Sequence, residues 1–152
     1  MSLDQADVLP LCYIGHPLHG LAEGWSDPNR NVERYLRFAA LFSNAGFAVV
    51  SWVHHELLYA RRLTPVDPEF YLTRDEALLR ACRVFVQAGP LEVSAGLTRE
   101  HGWAKNGKLI MLHVPRWDDP GYWPEGDPLA LDVRGVWQQI REAREACRRE
   151  KS

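Results

Sequence analysis

The chain has little cysteine and almost no lysine. Its 152 residues hold three cysteines, Cys12, Cys82 and Cys147, odd in number and far apart, with no C-x-x-C pair. A disulfide framework and a structural zinc site are both poorly supported, and a reducing cytoplasm is the expected setting. Three lysines stand against fifteen arginines, and the net charge is −2. That balance lacks the cationic excess of a protein that binds a nucleic acid polymer. No apolar run approaches the roughly 18–20 residues that span a bilayer, so no membrane partner is expected. The start, MSLDQADVLP, has neither a basic n-region nor a long apolar h-region, so no signal peptide is read there. Internal repeats and low-complexity segments are missing. So are G-x-x-x-x-G-K-[ST] and a G-x-G-x-x-G after the first strand, which argues against a P-loop NTPase and a dinucleotide enzyme. There is no G-x-S-x-G elbow either.

What is present is an ordinary globular composition, 46 % apolar and 25 % charged, at a length that suits one domain over 1–152. Apolar runs alternate with helix-like periods. This predicts an α/β fold: a flavodoxin- or Rossmann-like three-layer sandwich on a mostly parallel sheet of four or five strands. Strands are expected at Val8–Gly15, Phe47–Trp52, Cys82–Gly89 and Lys108–Val114. Asp27-Pro28 reads as an N-cap with proline at the first helical position, and Gly46 as the C′ glycine. Between them Val32, Tyr35, Leu36, Ala39 and Phe42 form an apolar stripe. A second helix follows Asp67-Pro68 and runs to about Arg80, unless Thr73 with Glu76 forms a capping box and starts it later. A third runs from Val93 to Asn106, closed by Gly107. A charged helix, about Leu129 to Arg149, ends the chain; a Glu145–Arg149 pair there suits a solvated face. The fourteen residues 115–128 form a loop long enough to suggest a function.

Two acids fall where acids are costly. Asp75 lies in the middle of the stripe Tyr71, Leu72, Leu78, Leu79. Glu100 lies in the middle of the stripe Val93, Gly96, Leu97, Trp103, Ala104. An unpaired carboxylate on the inner face of a helix costs several kcal/mol. Such a group either pairs with a cation (Arg74, Arg80 and Arg99 are near in sequence) or lines a cavity with a shifted pKa. Two carboxylates on adjacent units suit glycosyl chemistry, one as nucleophile and one managing protons. Ser94, Ala95 and Gly96 stand at the start of the third helix, where free N–H groups and the helix dipole favour an anion. Plain capping by Ser94 explains the serine equally well. In open α/β sheets ligands bind at the carboxyl ends of strands, here Tyr13–Gly20 and Gly89–Gly96.

The remaining candidates are weaker. Trp52 follows strand two and either stacks a base or completes the core. His54-His55-Glu56 has no H-E-x-x-H spacing, and no metal site is expected. His101 and His113 read as structural. Trp117, Tyr122 and Trp123 cover a site or an oligomer interface.

The pattern Tyr13-Ile14-Gly15-His16-Pro17, then Asn31, Ala39-Ala40-Leu41, Gly46, Asp75 with Leu79 and Cys82, and Ser94-x-Gly96-x-x-x-Glu100-x-Gly102-x-Ala104 before Gly107-Lys108, is familiar. It resembles the nucleoside 2-deoxyribosyltransferase-like superfamily, which includes the deoxynucleoside 5′-monophosphate N-glycosidases. The likeness covers about residues 10–114, and its last motif is the most specific. It implies that Glu100 is the nucleophile at C1′ of a deoxyribosyl group, that Asp75 orients it and manages protons, and that Tyr13 lines the sugar site. Gly15, His16, Ser94, Gly96 and Trp52 are the implied substrate-binding residues. Where the transferases usually carry an aspartate, Ser94 matches the serine of the monophosphate enzymes, which suits a 5′-phosphate. His16 stands in place of a usual glycine, Arg83 in place of an acid, and Leu97 in place of a small residue or threonine. The resemblance implies a small nucleoside or nucleotide as partner, no cofactor, and a homodimer or higher homo-oligomer. Two readings from other classes stay open: a nucleotide-binding module without turnover, and an interaction domain with buried ion pairs at Asp75 and Glu100.

Overall fold

The computed structural model describes residues 9–18, 20, 24–50, 68–114 and 134–150. Among them the elements run β1 (Leu11–Gly15), α1 (Pro28–Asn44), β2 (Ala48–Val50), α2 (Pro68–Arg80), β3 (Val84–Gln87), α3 (Ala95–Asn106), β4 (Ile110–His113) and α4 (Arg134–Arg149), with a 3₁₀ turn at Leu91–Val93. The strands form one parallel sheet in the order β2-β1-β3-β4. The chain leaves β1 to one side for β2, then crosses β1 to build β3 and β4 on the other. The fold is therefore the expected α/β, Rossmann-like arrangement of helices on a parallel sheet. Its topological switch point lies between β1 and β3, where such folds open a crevice at the strands' carboxyl ends.

Register explains the layers. Tyr13, Phe85 and Met111 are partners across β1, β3 and β4, and so share one face. α3 covers that face, through Tyr13 and Phe85. Cys12 and Val84 point to the other face, and the three cysteines are all free and buried. The core gathers Tyr35, Phe38, Leu41 and Phe42 of α1, the sheet residues Ile14, Phe85 and Val86, and Ile140 and Ala143 of α4.

The local signals for α1 hold. Asp27 Oδ1 accepts from the Asn29 N–H at 3.0 Å, Pro28 opens the helix, and Gly46 takes φ +91° just past its end. Of the expected stripe, Tyr35 and Phe42 are buried, whereas Val32 and Ala39 are only partly so. Asn31, Tyr35, Phe38, Leu41 and Phe42 turn inward while Leu36 is half exposed, because at 100° per residue Leu36 falls on the far side of the helix from the middle of that arc. α2 starts at Pro68. Thr73 makes no capping box with Glu76: its hydroxyl donates back to the Glu69 carbonyl at 2.9 Å, and Glu76 pairs with Arg80 at 2.6 Å. α3 starts at Ala95, two residues later than expected, because Val93 belongs to the 3₁₀ turn and Ser94 is the cap. The strands are shorter than the apolar runs that announce them. Trp52 and the remainder of its run lie outside the described residues. So do the loop 115–128 and residues 129–133 of the expected last helix.

Gly107 closes α3 as expected, its N–H bonding to the Trp103 carbonyl, but without a left-handed turn of its own. Gly107 has an ordinary right-handed φ of −77°, and Lys108 takes the left-handed position at φ +56°. A Cβ on Gly107 would stand 3.2 Å from the Trp103 carbonyl oxygen, so close approach accounts for that glycine. An L-residue in the left-handed region costs about 1–2 kcal/mol, and glycine gives back part of that in chain entropy. Lys108→Gly is therefore expected to stabilise by about 1 kcal/mol, which raises Tm by about 2–4 °C in a thermal melt. An unchanged or lower Tm would contradict the strain argument.

Candidate active site

Helix phase brings the two acids inward. Glu100 stands three residues after Leu97 and four before Ala104, both buried, and Asp75 stands four before the buried Leu79. Positions three and four apart share a helix face, so each acid follows its apolar neighbours towards the sheet. Both carboxylates are only partly exposed.

Tyr13, fully buried on β1, closes the constellation. Its hydroxyl donates to Glu100 Oε1 at 2.7 Å, a contact between residues 87 apart in sequence. The Tyr13 ring stacks on Phe85 (6.2 Å between centroids, 15°), and Phe85 meets the His101 ring edge-on at 6.1 Å. Burial pushes the Glu100 carboxyl up to about 8. The Tyr13 hydrogen bond and Arg99 act against that rise, and the charge of Asp75 adds to it. Burial also lifts the Tyr13 phenol well above its usual range, helped by the charges of Glu100 and Asp75. Asp75 therefore acts on both partners, and the three groups form one electrostatic unit. Of the nearby arginines, Arg80 is taken by Glu76, and Arg99 acts on Glu100 less than burial does.

The strand ends are shaped by glycine. A Cβ at Gly15 would stand 2.6 Å from Leu97 Cδ1 and 2.7 Å from Phe85 Cζ, so α3 packs directly on the end of β1. A Cβ at Gly89 would stand 2.4 Å from Pro17 Cδ, so the loops after β1 and β3 touch. Gly15 thus has a packing reason of its own, whatever else it contacts. Gly96 is exposed rather than inward, with only Ser94 Oγ, at 3.8 Å, near the place of its missing Cβ. Ser94 Oγ accepts from the Leu97 N–H at 3.1 Å, which uses one lone pair and leaves its O–H. The first backbone bond into α3 is Thr98 N–H to Ser94 O, so the Ala95 and Gly96 N–H groups precede the helical ladder.

His16 follows Gly15 and is buried. Its ring lies 5.7 Å from that of Trp25 and 6.0 Å from that of Phe38, and Nδ1 is 2.7 Å from the Pro17 carbonyl oxygen. Trp52, the last candidate, is outside the described residues. Sequence reasoning gave no role to the polar residue that builds this loop. Asn31 is fully buried, and its Nδ2 donates to the carbonyls of Leu18 and Trp25, both at 2.7 Å. Gly20 N–H donates to the same Trp25 carbonyl at 2.9 Å. Arg34 lies 4.5 Å over the Trp25 ring and donates to the Gly24 carbonyl at 2.7 Å. The signal was legible: Asn31 stands four residues before Tyr35, on the buried face of α1, where an amide needs partners.

Among the described residues no cluster of three His, Cys, Asp or Glu side chains is set to hold a metal, and no helix is long and apolar enough to cross a membrane. Fold and site together define a doubly wound α/β protein with a carboxyl–phenol pair beside its switch point. No family model, curated protein or solved structure matches the chain.

Proposed function

We propose that this chain is an enzyme of the nucleoside 2-deoxyribosyltransferase-like kind. It cleaves or exchanges the N-glycosidic bond of a 2′-deoxynucleoside 5′-monophosphate or a 2′-deoxynucleoside. The observation that carries this reading is the Tyr13–Glu100 hydrogen bond, made next to the second carboxylate. A buried glutamate held by one oxygen keeps the other for attack on C1′. The Ser94 hydroxyl and the Ala95 and Gly96 N–H groups suit a 5′-phosphate.

The proton balance follows from the raised pKa. At neutral pH Glu100 is mostly protonated, while the departing base needs a proton. Asp75 takes the proton from Glu100 and gives it to the base nitrogen as the C1′–N bond breaks and the Glu100 oxygen bonds to C1′. Water, or a second base, then attacks C1′ and gives its proton to Asp75 as Glu100 leaves as a carboxylate, which restores the pair with one proton. The active form is the pair with one proton, so kcat/KM falls as pH rises through about 8.

The test is chromatography of free base released from a panel of 2′-deoxynucleosides and their 5′-monophosphates, with and without an acceptor base, beside Glu100→Ala. Base release that is lost in Glu100→Ala is the expected result. Preference for the monophosphates supports the Ser94 argument, and dependence on the acceptor makes the reaction a transfer. No release by folded protein overturns the catalytic reading in favour of a nucleotide-binding module.

A further inference from the structure

Phe85 on β3 is fully buried and carries no polar group, yet both halves of the carboxyl–phenol pair are built around its ring. Tyr13 stacks on it, with 6.2 Å between centroids and 15° between planes. His101, the residue after Glu100 on α3, meets it edge-on at 6.1 Å and 76°. The tip of the ring lies over the end of β1, where a Cβ on Gly15 would stand 2.7 Å from Cζ and 3.0 Å from Cε2. Leu97 of α3 closes on the same spot, its Cδ1 2.6 Å from that Cβ position. The ring thus lies against β1 on one side and α3 on the other.

Those two elements carry Tyr13 and Glu100, whose 2.7 Å hydrogen bond tolerates only small displacements of either oxygen. The phenol oxygen lies on the axis of the last side-chain torsion, so turning the ring about that axis does not move it. Its place is set by where the whole ring lies, and the Phe85 ring bounds that on one side. A smaller side chain at 85 lets the phenol follow into the vacated space, away from the carboxylate.

We propose that Phe85 is a positioning residue: its ring, seated over Gly15, holds the Tyr13 phenol on the Glu100 carboxylate. Gly15 is its counterpart, because any side chain there meets the ring. The catalytic consequence rests on the functional reading above, whereas the positioning is a property of the fold. Phe85 acts on Glu100 through the Tyr13 hydroxyl, so its effect disappears where that hydroxyl is absent.

The test is ¹³C NMR of protein labelled at the glutamate carboxyls, titrated with pH, with the Glu100 resonance assigned by its loss in Glu100→Gln and base release measured in parallel. Glu100 titrates at about 8 in the wild type. Phe85→Leu loses the hydrogen bond to the ionised form and is expected to titrate about one pH unit higher or more. The direction separates positioning from loosened packing. Burial is the largest cause of the raised value, so a core that merely admits water lowers it. Asp75 and Arg99, the other groups that act on this carboxyl, are unchanged in the variant. Val86→Ala removes equally buried bulk from the opposite face of β3 and leaves the titration in place. In Tyr13→Phe, adding Phe85→Leu gives no further rise. In the base-release assay Phe85→Leu loses about 10–100-fold in kcat, with KM changed far less. If Phe85→Leu does not fold, Phe85→Met, nearer in volume, carries the same test. A Glu100 titration that stays in place or moves to lower pH overturns the proposal, and so does a rise that persists in Tyr13→Phe, whether or not the wild type releases base. A rise confined to proteins that keep the Tyr13 hydroxyl, in a chain that releases no base, sinks the catalytic reading and upholds the positioning.

Discussion

Glu100→Gln is expected to abolish base release and, at the same time, to make the protein more stable above neutral pH. The first effect is the loss of a nucleophile, worth roughly 10⁴-fold or more in rate. The second follows from burial. The carboxyl titrates near 4.5 when unfolded and at about 8 when folded. Between those values the folded state binds the extra proton, so folding stability falls as pH rises from 4.5 to 8. The full shift corresponds to about 5 kcal/mol, an upper figure for a group that keeps some contact with solvent. Glutamine keeps the shape and the acceptor for Tyr13 but never ionises. Urea unfolding at pH 6 and pH 9 should show the wild type losing stability and Glu100→Gln holding it. Equal losses in both proteins would mean that Glu100 is not the buried acid. Full base release by the variant would remove it as nucleophile. His16 contributes the opposite slope. Its pKa is near 6.5 unfolded and about 4 folded, so stability is lost as pH falls through that window. Their slopes cancel between about pH 4.5 and 6.5, so together the two groups place maximal stability in mildly acidic solution and a loss on either side of it.

Tyr13→Phe is the second large effect. The hydroxyl stabilises the ionised carboxylate of Glu100 and fixes which oxygen remains for attack. Its removal raises the pKa of Glu100 further and loosens the nucleophile. Base release should fall by about 10²–10³-fold, the range for loss of one oriented hydrogen bond in a catalytic site. The alkaline limb of kcat/KM, near pH 8 in the wild type, should move to higher pH. The ring remains, so the stack on Phe85 and the core around it persist, and melting should change far less than activity. A limb that stays in place, or moves to lower pH, would show that Tyr13 does not bond the ionised form.

The two acids were legible because helix geometry is local. Spacings of three and four residues from Leu97, Ala104 and Leu79 fix the faces of Glu100 and Asp75 without knowledge of any other element. The same holds for the caps at Asp27 and Ser94 and for the glycine at 46. These signals rest on one turn of backbone, and sequence displays one turn of backbone directly. The α/β class was legible for a related reason, since strand and helix periods alternate along the chain.

Other features needed the assembled sheet. That Tyr13 meets Glu100 depends on β1 lying next to β3, which carries α3 to it, and no local spacing contains that neighbour relation. The burial of His16 depends on Trp25 and on Phe38 of α1 closing over it. Leu36 turns outward because it lies opposite the arc of α1 that packs on the core. The sequence by itself determined the periodicities, the caps and the inward phase of both acids, because these follow from bonds within a few residues. Only the tertiary structure decided which buried groups share charge and which rings stack, because pKa and packing depend on atoms that distant parts of the chain bring together.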